Sequence, residues 1–159
     1  MVVATLGERY RGMIKTLLQF GKLIDYRTSG GSDNEWDIAF EGGRVIVKFE
    51  SDDFDPFMNL YEIITFPQHR KQGYASKVMK IICDAADLWG VSMELDVNPH
   101  EVPYRLQEAG YEKTRMTPEM IEKMDIMNET QLKKFYSRFG FEQEFDGDLE
   151  YFVRYPPTL

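Results

Sequence analysis

The sequence predicts a single-domain mixed α/β protein in which helices pack on a sheet of short strands. Three observations carry that expectation. Ala75, Val78, Met79, Ile82, Ala86 and Trp89 recur at helical spacing and make one apolar stripe. Val91, Met93, Leu95 and Val97 alternate with Ser92, Glu94 and Asp96, the period of a strand with one buried face. Two turn signals, Glu41-Gly42-Gly43 and Asp146-Gly147, each lie between strand-like runs, as in a β-hairpin.

In chain order, Tyr10, Met13, Ile14, Leu17, Leu18 and Gly21 predict an amphipathic helix over residues 6–23, ending near Gly21. Residues 28–34, rich in Ser, Gly and Asn, have the composition of a loop. Strands are expected at 36–40 and 44–49 around the Gly-Gly turn, followed by an acidic loop at 50–56. Residues 60–66 form a further apolar strand, stopped by Pro67. The helix after Gly73 keeps Lys77, Lys80, Asp84 and Asp87 largely off its stripe and stops at Gly90. Between 98 and 128 the periodicity weakens, with short helices expected at 102–109 and 118–127. A helix over 130–139 then ends at Gly140, and strands at 141–145 and 149–155 flank Asp146-Gly147.

A chain of 159 residues, 43% hydrophobic and 29% charged, has the balance of one globular domain with a true core. No apolar run approaches the roughly 20 residues that span a bilayer. Glu8 and Arg9 interrupt the start before a signal-like stretch develops, so a cytoplasmic protein without membrane contact is expected. Cys83 is the single cysteine, which excludes an internal disulfide and a four-thiolate metal site. His69 and His100 lack a second ligand at metal spacing, and no metal is expected. The net charge of -8 opposes general nucleic-acid binding, which needs phosphate neutralisation. The same charge suits a cationic substrate or partner, and equally serves solubility alone. The acidic stretch from Glu50 to Asp55 lacks the order of ligands and the final Glu of an EF-hand and reads as a solvated loop.

The chemistry concentrates in Phe66-Pro67-Gln68-His69-Arg70-Lys71-Gln72-Gly73-Tyr74-Ala75-Ser76, between a strand and a helix. A helix N-terminus leaves several backbone N–H donors unpaired, and these converge well on an anion. Gly73 lets the backbone approach a ligand closely, Ala75 adds little bulk, and Arg70 and Lys71 bring positive charge. A diphosphate suits such a site; an ordinary turn with a surface basic pair has the same residues. Neither a P-loop nor a dinucleotide fingerprint is present, since Gly-Lys-Ser/Thr and Gly-x-Gly-x-x-Gly are both missing.

Arg70, Gly73 and Ala75 stand in register with Arg/Gln-x-x-Gly-x-Gly/Ala, so the stretch resembles the acetyl-CoA motif of the GNAT superfamily of N-acetyltransferases. The preceding Leu60-Tyr61-Glu62-Ile63-Ile64-Thr65-Phe66-Pro67 resembles that family's fourth strand. Leu132-Lys133-Lys134-Phe135-Tyr136-Ser137-Arg138-Phe139-Gly140-Phe141 resembles its second signature, a helix that carries Phe-Tyr and ends in Gly-Phe. Tyr151-Phe152-Val153-Arg154-Tyr155-Pro156 is similar to its final strand. The resemblance covers residues 59–156, and short acidic members of this kind also suit a bacteriophage.

The resemblance implies a GNAT-like fold: a central, mostly antiparallel sheet with splayed parallel strands 4 and 5, flanked by helices. It implies acetyl-CoA as acetyl donor and a primary amine as acceptor, on a small molecule, a lysine side chain or a protein N-terminus. Backbone groups of Ile63, Ile64 and Thr65 would hold the pantetheine arm, and amides of Lys71, Gln72, Gly73, Tyr74, Ala75 and Ser76 the diphosphate, beside Arg70. Tyr136 matches the family's general acid, which protonates the departing thiolate; a core aromatic at a helix end looks the same in sequence. The family often places Asn seven residues before this Tyr. Here Glu129 holds that position and Asn128 precedes it, which makes Asn128 the candidate cofactor contact.

Glu62, Glu94 and Asp96 lie on or near the two splayed strands and are candidates for the general base; Glu62 adjoins the pantetheine-binding strand and is preferred. Each is also explained as a solvated carboxylate. Residues 98–128 exceed what the family core needs and read as an insertion at the mouth of the site, either selecting the acceptor or extending the packing. The resemblance also implies that edge strands at the C-terminal end could support a homodimer. A non-catalytic protein on the same fold, engaging a basic partner such as a host factor through its acidic surface, is the alternative.

Overall fold

The computed structural model describes residues 4–29, 33–65, 72–95, 129–147 and 149–157. Helix α1 (Leu6–Leu17) is followed by strands β1 (Gly21–Ser29), β2 (Asp33–Phe40), β3 (Val45–Asp52) and β4 (Phe57–Thr65), then by helix α2 (Tyr74–Trp89) and strand β5 (Ser92–Leu95). Helix α3 (Glu129–Ser137) and strands β6 (Glu142–Asp146) and β7 (Leu149–Arg154) complete the described elements. One seven-stranded sheet has the order β1-β2-β3-β4-β5-β7-β6. Every junction is antiparallel except β4–β5, which is parallel and joined through α2. The class is mixed α/β, as the alternation of helical and two-residue periods predicts. The proposed insertion at 98–128, with its two short helices, lies outside the described residues.

Helix α1 starts where Thr5 Oγ1 accepts a hydrogen bond from the Glu8 amide at 3.2 Å, with Glu8 as the acid of the first turn. Tyr10, Met13, Ile14 and Leu17 form its buried stripe. It ends at Leu18, well before residue 23, and Gly21 opens β1 rather than stopping the helix. Gly21 pairs with Phe40, and a side-chain carbon there would come within 2.8 Å of the Ala39 carbonyl oxygen. The glycine permits close strand contact, a need that the helical spacing of its neighbours hides. The expected loop over 28–34 is correspondingly short, because Thr28 and Ser29 pair with Asn34 and Asp33.

Strand alternation assigns the two faces of the sheet. Trp36, Ile38 and Phe40 on β2, Val45, Val47 and Phe49 on β3, and Met58 and Leu60 on β4 share one core with Val91, Met93, Leu95 and Phe152. All three helices join it: Tyr10, Met13, Ile14 and Leu17 from α1, Val78, Met79, Ile82, Cys83, Ala85 and Ala86 from α2, Phe135 and Tyr136 from α3. Each large side chain removed from water stabilises this core by about 1.5–3 kcal/mol before the entropic cost of ordering. Ala39, Ile46 and Val153 alternate to the other face and are buried there too.

Polar contacts fix the helices against one another. Trp89 Nε1 donates to Thr16 Oγ1 at 2.9 Å, and the Arg9 guanidinium donates to the Gly90 carbonyl at 2.8 Å, joining α1 to the end of α2. Arg154 of β7 makes a two-pronged ion pair with Asp87 of α2 at 2.7 and 3.0 Å, and its Nε donates to the Phe139 carbonyl at 2.7 Å. A single side chain thus joins the sheet, α2 and the chain leaving α3. Burial is the largest single influence and opposes the charge of Arg154, but the hydrogen bond to Asp87 together with the charges of Cys83, Asp87 and Asp84 outweighs it and raises the pKa.

Candidate functional site

Strand β4 delivers the chain to the turn before α2. Residues 66–71, including Arg70 and Lys71, lie outside the described residues, as does Asn128. From Gln72 onward the turn is defined: Gln72 and Gly73 are exposed, and Tyr74, Ala75 and Ser76 are partly so. Gly73 has φ +81°, in the left-handed region, and a side-chain carbon there would meet nothing within 4 Å among the described residues. The glycine is therefore required by backbone conformation.

The helix ladder begins with the Lys77 amide, which donates to the Gly73 carbonyl at 3.1 Å. Gly73 provides no side-chain cap, and the first turn of α2 carries no acid. Helix α1 has both. Gly73 itself thus brings no side-chain oxygen to the positive end of the α2 dipole, where an N-cap residue normally does.

The turn between β2 and β3 lies against this helix end, a proximity created by tertiary register. Val45 pairs with Thr65, so β3 starts at the end of the sheet where β4 finishes. Glu41 (φ +53°) extends its carboxylate to Lys77 Nζ at 3.2 Å. The Arg44 guanidinium, held by a 3.0 Å hydrogen bond to the Glu41 carbonyl, lies 5.4 Å from the centre of the Tyr74 ring. Arg44 and Lys77 therefore add two exposed cations beside the first turn of α2. Nothing in the local spacing of Arg44 marks it as a neighbour of Tyr74; Lys77 is distinguished only by lying off the apolar stripe.

Ile63, Ile64 and Thr65 occupy the far end of β4, paired with Val47, Ile46 and Val45. Leu60 pairs with Phe49 and Glu62 with Lys48, so Tyr61 is an extra residue in β4. Such a bulge bends a strand and increases its twist. The described pairing of β4 with β5 covers Phe57, Met58 and Asn59 against Ser92, Met93 and Glu94, while β4 runs on to Thr65. The Glu62 side chain and Asp96 lie outside what is described; Glu94 is partly buried in register with Asn59.

Tyr136 is 7% exposed and packs edge-on against Phe135 and Phe141, at 5.3 and 5.7 Å between ring centres. The end of α3 is fastened to the second half of α2 through Cys83 and, by way of Arg154, Asp87. Burial pushes the Cys83 thiol up to about 11 despite the opposing charge of Arg154. It is an inert packing thiol at neutral pH.

The structure thus assembles the Gln72–Ser76 turn, the end of β4 and the Glu41–Arg44 turn at one end of the sheet. It sets Tyr136 into the aromatic part of the core. Among the described residues no group of three or more His, Cys, Asp or Glu side chains could hold a metal ion. No helix among them is long and apolar enough to cross a membrane. No protein family, characterised protein or solved structure matches this chain.

Proposed function

We propose that this protein is an N-acetyltransferase of the GNAT type, which transfers acetyl from acetyl-CoA to a primary amine in a ternary complex. The observation that carries the proposal is the start of α2: an exposed left-handed glycine with no side-chain cap and no acid in the first turn. The amides of Gly73, Tyr74, Ala75 and Ser76 would donate to the diphosphate oxygens. Arg44 and Lys77, with Arg70 and Lys71, would neutralise its charge.

Further support comes from the sheet. The strand that precedes the motif is fourth in chain order, and its parallel neighbour follows the motif helix. The bulge at Tyr61 suits a strand that bends to meet an extended ligand along its edge. Backbone groups of Ile63, Ile64 and Thr65 would bind the pantetheine arm on that edge.

In the reaction, the amine nitrogen attacks the thioester carbonyl carbon and the oxygen takes the electron pair. A β4 amide would stabilise that oxyanion. Collapse breaks the carbon–sulfur bond, and the thiolate of coenzyme A takes a proton from the Tyr136 hydroxyl. Glu62 would accept the proton that the attacking ammonium must lose. The burial of Tyr136 among Phe135 and Phe141 favours a second reading, in which the same fold binds a basic partner through its acidic surface without catalysis.

Thermal-shift titration with acetyl-CoA, followed by assay of coenzyme A release across an amine panel, separates the two readings. Stabilisation with amine-dependent release is expected. Stabilisation without turnover for any amine favours the binding protein, and absence of stabilisation removes the enzyme assignment.

A further inference from the structure

Four of the eight exposed large hydrophobic side chains among the described residues fall between positions 18 and 24: Leu18 (36%), Phe20 (57%), Leu23 (37%) and Ile24 (37%). They cover the end of α1 and the start of β1, which is an outer strand of the sheet. Among the described residues, apolar surface therefore coincides with a backbone edge that no further strand covers. Edge strands are normally blunted by charge, proline or a bulge; β1 has charges at Lys22, Asp25 and Arg27, yet its middle residues Leu23 and Ile24 are apolar and exposed. Here the β1–β2 register skips one residue between Leu23 and Asp25, and the residue at that bulge is Ile24.

We propose that β1 is a self-association edge, on which a second copy of this chain pairs antiparallel about a two-fold axis between Leu23 and Ile24. That register is self-complementary. It sets Lys22 opposite Asp25 of the second copy and Leu23 opposite Ile24, and by symmetry each contact occurs twice. Opposite charges and apolar pairs directly across strands are the pairings that stabilise a sheet.

The other outer strand, β6, would not pair with itself in this way. Glu142, Glu144 and Asp146 line it within five residues, and antiparallel self-pairing would bring carboxylates together. The four apolar side chains at β1 expose roughly 300 Å² per copy, taking about 150–250 Å² for a whole aromatic side chain. With the strand backbone and the Lys22–Asp25 pairs this approaches the roughly 1,000 Å² at which specific interfaces begin. A weak dimer in equilibrium with monomer follows.

Sedimentation velocity from low-micromolar to near-millimolar concentration tests the proposal, with circular dichroism confirming the fold of each variant. The wild type is expected to shift from the 18.7 kDa monomer toward twice that mass as concentration rises. Ile24→Lys should abolish the shift. Lys22→Glu should weaken association about tenfold, and Lys22→Glu with Asp25→Lys should restore it. Phe145→Lys, on β6, should leave it unchanged. A protein that stays monomeric throughout overturns the proposal. So does a dimer that survives Ile24→Lys, or one that Phe145→Lys dissolves; failure of the double charge reversal to restore association overturns the register.

Discussion

Replacing Arg154 with Met should destabilise the fold far more than loss of a surface charge. The side chain is 12% exposed and makes three hydrogen bonds, two to the Asp87 carboxylate and one to the Phe139 carbonyl. Breaking a fully buried ion pair costs about 3–5 kcal/mol, and an exposed one contributes about 0–1 kcal/mol. Asp87 keeps 31% of its side chain in water, so part of its lost partner is replaced by solvent. The Phe139 carbonyl also loses its donor, and methionine retains most of the packing of the arginine stem. About 2–3 kcal/mol is therefore expected, a fall in Tm of roughly 5–10 °C for a chain of this size. Urea denaturation followed by circular dichroism measures it. The double variant Arg154→Met, Asp87→Leu should recover part of the loss, because no unpaired carboxylate remains. A cost below about 0.5 kcal/mol, or a double variant less stable than the sum of the singles, would refute the view of Arg154 as the joint between sheet, α2 and α3.

Gly73→Ala forces φ +81° on a side-chain-bearing residue and should cost about 1–2 kcal/mol in stability; acetyl-CoA affinity, read by calorimetry, should fall about tenfold if the turn binds the diphosphate. Tyr136→Phe preserves the ring contacts with Phe135 and Phe141, so stability should change by less than about 1 kcal/mol. If the hydroxyl is the general acid, turnover falls about a hundredfold with acetyl-CoA binding unaltered, and an unchanged rate removes it from the mechanism. Alkaline titration should weaken the fold. Burial, then the charge of Asp55, pushes the Tyr10 hydroxyl up from 10.0 to about 12, and burial pushes the Cys83 thiol up from 9.0 to about 11. Their protonated forms are the ones the fold holds, so their stabilisation is intact below pH 9 and is lost between 9 and 11 for Cys83 and between 10 and 12 for Tyr10. The Cys83 loss is about 2–3 kcal/mol, and Cys83→Ala should remove the lower part of the decline in a pH series of urea midpoints.

What was legible in the sequence is what local chain chemistry decides. Helix α2 could be read between Gly73 and Gly90 because its apolar stripe and both glycines speak to the same structure. The β2–β3 hairpin and the β6–β7 hairpin were likewise marked by turn residues. Strand β1 was not legible. The apolar residues of 17–24 keep helical spacing past the true helix end, and its strand conformation comes from pairing with β2. The end of β3 has the composition of a loop, since Glu50, Ser51 and Asp52 are polar, yet they pair with Glu35, Asn34 and Asp33. At the candidate site the glycine turn could be seen, being contiguous. Arg44 beside Tyr74, Glu41 with Lys77 and Arg154 with Asp87 depend on register between distant segments and leave no mark in spacing.

Amide NMR during titration with coenzyme A goes furthest toward deciding what this protein binds. Saturable shifts concentrated at Gly73, Tyr74, Ala75 and Ser76 are expected, with smaller ones at Ile63 to Thr65. Unmoved amides at the start of α2 under excess coenzyme A would contradict the whole functional assignment.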